Sequence, residues 1–320
     1  MKQLKQLILS LLLLATAIPA TALQIDGISY ETTSATTVKV TSYSPQDTGD
    51  VVIPSTVTYN NTTYSVTAIR ENAFHNCDEL TSVTIPNSVT TIGSNAFWAC
   101  TSLTSVTIGN GVTTIGNGAF MGCTSLTSVT IANGVTYIDT YAFSDCTRLT
   151  SVTIGNGVTT IGKWAFKNCR SLTSVTIPNS VTAIYMEAFI HCSSLTSVTI
   201  GSSVTTIGSG MFEGCENISE VYAMMKEPCS FLASSTFSVY DRATLYVPIG
   251  CKEKYESQKY WNKFQNIVEV DYSGVTTAKE RGASETVIET YDLQGRKTKL
   301  QRGISIERRA DGTVRKVLVK

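Results

Sequence analysis

Histidine is almost missing from this chain: His75 and His191 are the only two in 320 residues. They fall in different copies of a repeat, about 24 Å apart if each copy advances by one strand spacing. Too far apart to share a proton or a metal, they leave general acid–base chemistry with little to work with. Metal-spaced Cys/His clusters, phosphate-binding glycine loops and nucleophile elbows are also lacking. Catalytic residues, metal and cofactor are therefore expected to be none. An enzyme would need a site hidden near the C-terminal end of the repeats, around Cys229 and Cys251. Charge is scarce too, at 16% of residues with a formal net charge of zero. Residues 23–278 hold 12 Lys/Arg against 19 Asp/Glu, and a mildly acidic body does not suit nucleic acid. No apolar run is long enough for a transmembrane helix. The longest, Leu7 to Leu14, is interrupted by Ser10.

What the chain does have is a period. Cys77, Cys100, Cys123, Cys146, Cys169, Cys192 and Cys215 follow one another at a constant 23 residues. A fixed spacing in the twenties marks a solenoid of stacked coils. One unit runs from Leu103 to Cys123, with Leu103, Val106, Ile108, Val112, Ile115, Phe120 and Cys123 apolar in nearly every copy. Val106 and Ile108 alternate with Ser105 and Thr107, a strand with one buried face. Gly109-Asn110-Gly111 is a turn, replaced by Pro86-Asn87-Ser88 or Pro178-Asn179-Ser180 in other copies. Val112 to Ile115 is a second short extended run, and Asn117 to Cys123 reads as one short helical turn. No coil can bury its own apolar face, so stability must come from stacking.

Equivalent cysteines in stacked coils lie about 4.8 Å apart with parallel Cβ vectors. A disulfide needs about 3.8 Å and converging vectors. The seven are expected to be a structural ladder of buried thiols acting as small apolar groups. Cys229 and Cys251 lie off the ladder, and the sequence leaves open whether they are bridged.

The string "AFWACTSLTSVTIGNGVTTIG" resembles the BspA-type leucine-rich repeat of bacterial surface proteins. The resemblance covers roughly residues 66–221 as seven repeats. It implies a leucine-rich-repeat solenoid: a right-handed β/α superhelix, mostly short parallel strands with short helical turns. Residues 23–65 resemble the family's N-terminal β cap, and 222–271, with "YWNKFQNIVEV", its C-terminal cap. There Tyr255, Trp261 and Phe264 should cover the last coil. Residues 1–22 read as a signal peptide: Lys2 and Lys5, an apolar stretch, then Ala20-Thr21-Ala22 as a small-x-small cleavage site. Residues 272–285 read as a linker. Residues 286–320, with "YDLQGRKTKL", "RGISI" and "GTVRKVLVK", read as a small antiparallel β unit. Gly295-Arg296, Gly303-Ile304 and Lys316 to Lys320 give this tail a resemblance to the sorting domain of type IX secretion, although it is short for one. A plain structural β cap is the alternative.

The resemblance implies a secreted protein on the surface of a Gram-negative bacterium or outside it, adhering to host matrix or cell-surface proteins or to other bacteria. Capped ends favour a monomer. Two surfaces are candidates for binding. Along the strands, Ser82, Ser105, Ser128, Ser151, Ser174 and Ser197 form one hydroxyl row and the threonines two residues further on form another. These rows suit a repetitive ligand such as a glycan, or simply an exposed strand in a structural spacer. The other candidate is the turn around the repeated Phe, whose residues change from copy to copy. Trp98, Tyr141, Lys163, Trp164, Lys167 and Arg170 gather there in copies two to five. These are residue types enriched in binding hot spots, making this ridge the preferred ligand-binding surface for a protein partner.

Overall fold

The fold is described from a computed structural model. It covers residues 23–44, 49–230 and 234–272, together with the backbone of four short strands beyond them. Residues 1–22, where a signal peptide is expected, most of the expected linker, and Gly295-Arg296 lie outside the described residues.

The repeats stack as a β-solenoid in which each coil has three edges. We number the coils 1 to 7 by their cysteines, from Cys77 to Cys215. The two-residue strands Thr91–Ile92, Thr114–Ile115, Tyr137–Ile138, Thr160–Ile161, Ala183–Ile184 and Thr206–Ile207 pair in parallel and in register along one edge. This sheet is continuous with the N-terminal strands Leu23–Ile25, Ile28–Thr32, Thr37–Tyr43 and Thr62–Ile69. The cap hairpin turns through Asn60 and Asn61, both at positive φ, as a two-residue hairpin turn requires. The Ser-Val-Thr-Ile strands form the second edge. They do not make one sheet. Pairing runs from Asp50–Val52 to Ser151–Thr153, stops, and restarts at Ser174–Ile177. The second block continues through Glu220–Ala223 and Thr244–Pro248 to Asn266–Val270, so the last coils are degenerate copies of the same strand.

The third edge departs from the expected helical turn. In coil 2, Asn95, Phe97 and Ala99 donate to the carbonyls of Asn117, Ala119 and Met121 in the next coil, at 2.8, 2.7 and 2.7 Å. The residues between them turn back on their own coil: Trp98 donates to Asn95 and Cys100 to Phe97, at 3.1 and 3.4 Å. A helix would use every N–H within the coil. Here every second N–H is spent on the neighbour. Two residues per coil take left-handed backbone to allow it, Asn95 (φ 53°) and Ala99 (φ 54°) in coil 2. This edge is therefore a ladder of tight turns rather than a row of helices. Among the described residues the one α-helix is Lys252–Ser257 in the C-terminal cap.

The core is built of repeated columns. Phe74, Phe97, Phe120, Phe143, Phe166, Phe189 and Phe212 are completely buried, and their rings stack at 4.7 to 5.5 Å. Tyr43 of one cap and Phe237 of the other extend the column at its two ends. Leu, Val and Ile columns fill the rest of the interior. Threonines tie coils together from outside: Thr104, Thr127, Thr150, Thr173 and Thr196 each donate a hydroxyl to the carbonyl 23 residues earlier. Tyr255, Trp261 and Phe264 are buried over the last coil. Tyr255 Oη donates to the Met225 carbonyl and Trp261 Nε1 to that of Cys229, both at 2.8 Å.

All nine cysteines are free and buried, Cys229 and Cys251 included. The ladder thiols do more than fill space. Each Sγ from Cys100 to Cys215 donates to the carbonyl of the Phe 26 residues earlier, at 3.0 to 3.3 Å. Burial pushes the Cys77 thiol up to about 12 and raises that of Cys146 as well. The donor proton is therefore held, and thiolate chemistry is suppressed.

Toward the C-terminus, Val287–Tyr291, Gly303–Arg309 and Val314–Val319 pair antiparallel, with Thr276–Thr277 added in parallel to the last of them. The first strand thus lies upstream of "DLQGRKTKL", in the β-branched alternation Val-Ile-Glu-Thr-Tyr, which suits a strand better.

Candidate binding ridge

The left-handed residues of the third edge form two outward columns. One holds Asn72, Asn95, Gly118, Tyr141, Trp164, Glu187 and Gly210, all with φ between 53° and 63°. Asn and Gly are the ordinary occupants of such backbone. Coils 4 to 6 replace them with Tyr141, Trp164 and Glu187, at φ 58°, 55° and 55°. A bulky side chain held there costs of order 1–3 kcal/mol, and such strain concentrates at functional sites.

These three side chains make one unit. The rings of Tyr141 and Trp164 stack at 4.8 Å with planes 11° apart. Trp164 Nε1 donates to Glu187 Oε2 at 2.8 Å. Lys163 and Arg170 are exposed on either side of Trp164 along the same turn, and Lys167 is half-buried between them. Of the six ridge residues expected from sequence, Tyr141 and Trp164 are in contact, and Lys163, Lys167 and Arg170 lie in the same coil as Trp164. Trp98 does not join them. It occupies a different column, in coil 2, where it stacks on His75 at 4.4 Å.

Some participants escaped the sequence reading. Glu187 was visible only as one variable residue, whereas it is the hydrogen-bond partner of Trp164. Asp145 accepts from Ser144 Oγ and Asn168 Nδ2, each at 2.7 Å, and so braces the turns of coils 4 and 5. Asp139 and the exposed Tyr185 stand where other copies have Gly93, Gly116, Gly162 and Gly208, bordering the same patch. A signal was available: Asn or Gly recurring in register marks left-handed backbone, and its loss in coils 4 to 6 marks the exception. Among the described residues, no group of three or more His, Cys, Asp or Glu is placed to hold a metal ion. No helix there is long and apolar enough to cross a membrane.

A profile of the BspA type leucine-rich repeat region, in 6 copies, matches residues 54–170 and 113–242. The chain belongs to this family. A leucine-rich repeat protein from Bacteroides ovatus has the same fold, at 21% identity over 81% of this chain and 73% of that one, with a TM-score of 0.50. The leucine-rich repeat protein of T. pallidum is 26% identical over 63% of this chain and 86% of its own, with a TM-score of 0.45. A leucine-rich cell surface protein from Faecalibacterium prausnitzii is 24% identical over 78% and 94%, with a TM-score of 0.39. No curated protein matches the chain.

Proposed function

We propose that this BspA-type solenoid is an exported surface protein that adheres to host or neighbouring-cell macromolecules through the turn ridge of coils 4 and 5. One observation carries the reading. Near-identical coils keep their strands and core columns, while coils 4 to 6 give up the easy Asn or Gly of the left-handed column for Tyr141, Trp164 and Glu187. Diversity concentrated on the outward turn, including its strained positions, is what recognition by a rigid scaffold would produce. The Ser/Thr rows, by contrast, hold the residue types of an ordinary exposed strand and barely change from coil to coil. Export rests on the N-terminal pattern of residues 1–22, and attachment on the likeness of the tail to a sorting domain.

The test is binding of the full chain to a panel of matrix proteins, glycans and cell surfaces, beside a variant with Tyr141, Trp164 and Lys167 changed to Ser. Binding to a protein that the variant loses supports the ridge. Binding that survives moves the site to the hydroxyl rows. Silence across the panel favours a spacer without a partner.

A further inference from the structure

Charge is segregated along the solenoid. From Glu71 to Thr147 the chain carries acidic residues and no Lys or Arg, and the same holds from Glu187 to Met225. Between them, Cys146 to Met186 has four cations, Arg148, Lys163, Lys167 and Arg170, and not one Asp or Glu. All four lie on the turn face or in the connection that leaves it. The ion pairs among the described residues are elsewhere, at Lys39–Glu31, Arg242–Glu216, Lys252–Glu256 and Lys254–Glu227. Three acids border the patch without pairing with these cations: Glu187 accepts from the Trp164 indole, Asp145 from Ser144 and Asn168, and Asp139 from the Thr140 N–H. Among the described residues the four cations thus have no ion-pair partner and outnumber the three acids that border them, in a protein whose flanking coils are acidic.

The orientation of the rings narrows the ligand. Tyr141 and Trp164 belong to successive coils and stack along the solenoid axis, so their faces are turned to each other. Toward coil 3, the Asn95 amide oxygen lies where a side chain on Gly118 would begin; toward coil 6, the Trp164 indole meets the Glu187 carboxylate. What reaches outward is the ring rims, the electropositive part of an aromatic ring. A sugar would need an open face to stack on. A carboxylate needs positive rims beside ammonium and guanidinium groups, which this surface supplies.

We infer that the turn face of coils 4 and 5 binds a Glu/Asp-rich segment of a partner protein, its carboxylates falling among Arg148, Lys163, Lys167, Arg170 and the rims of Tyr141 and Trp164. This rests on the ridge being the adhesive surface and adds the chemistry of what it adheres to. The probe is fluorescent poly-L-glutamate, titrated with the full chain at 50 and 300 mM salt beside polygalacturonate and uncharged poly-L-glutamine. The expected result is binding to poly-L-glutamate alone, weakened at least tenfold by the added salt. Lys163→Glu, Lys167→Glu and Arg170→Glu combined should weaken it at least tenfold more with an unchanged urea midpoint, while Lys226→Glu in the C-terminal cap should have no effect. The inference is overturned by no binding at 50 mM salt, by binding that the triple variant retains, or by equal or tighter binding to polygalacturonate, which would make the ligand an acidic glycan. Ridge-dependent binding in the cell-surface panel together with a poly-L-glutamate failure would remove only the acidic partner and leave the adhesive ridge standing.

Discussion

Raising the pH should unfold this protein through its cysteines. Eight thiols, those of Cys77, Cys100, Cys123, Cys146, Cys169, Cys192, Cys215 and Cys229, have values raised above the ordinary 9.0, the first and last to about 12. For Cys77 and Cys229 the main cause is burial; a thiolate in a column of Phe rings and aliphatic side chains has no water. A group whose value is raised by folding contributes its full stability below its unfolded value. It loses that contribution as pH climbs from the unfolded value toward the folded one. The window therefore opens near pH 9 and extends to about 12 for Cys77 and Cys229. At pH 10 an unfolded thiol is mostly ionised while its folded counterpart is not, a loss of about 1.4 kcal/mol per thiol. For Cys77 and Cys229 together this is about 2.8 kcal/mol, a sizeable share of the stability of a typical domain, and the other raised thiols act in the same direction. Urea midpoints measured from pH 7 to 10.5 should hold nearly level to pH 8.5 and then fall steeply. Thiolate absorbance near 240 nm should appear only with unfolding. Cys77→Ala and Cys229→Ala should each flatten the alkaline slope by about 1.4 kcal/mol per pH unit, which separates thiols from the buried tyrosines. A midpoint that stays level to pH 10.5, or thiolate absorbance in the folded protein, would refute the reasoning.

Native protein should resist thiol reagents, with the ladder cysteines labelled only after denaturation, as mass spectrometry of alkylated peptides would show. Phe120→Ala, which breaks the ring column in its middle, should cost about 3–5 kcal/mol by urea titration. Ala99→Gly should stabilise by about 0.5–1 kcal/mol, because Ala99 sits at φ 54° where coils 3 and 7 have Gly122 and Gly214; a loss of stability there would show that the left-handed assignment is wrong. Thr127→Val, removing one outside tie to the Thr104 carbonyl, should cost about 1 kcal/mol by the same titration.

Much of the fold was legible because a repeat is an alignment of the chain with itself. Seven superposed copies expose the buried positions directly, and Val106, Ile108, Ile115, Phe120 and Cys123 fall where their periodicity places them. The turn was harder. Asn117 to Cys123 is compact and contains Ala and Phe, which reads as helix if hydrogen bonds are assumed to stay within the coil. They do not, because a neighbour one strand spacing away offers carbonyls to every second N–H. The donor role of the thiols was hidden for the same reason, since the acceptor belongs to another coil. The ridge was legible as variation but not as structure. The repeat register itself separates Trp98, which follows Phe97, from Tyr141 and Trp164, which lie two residues before Phe143 and Phe166, and only backbone angles reveal which replacements are strained.

The most direct test of the account is a hydroxyl-radical footprint of the full chain bound to a cell surface or matrix protein that captures it. Protection of Tyr141, Trp164 and Tyr185, with the Ser/Thr strand face left reactive, is the predicted result. Protection along the strand rows with Tyr141 and Trp164 still oxidised as in the free chain would contradict it.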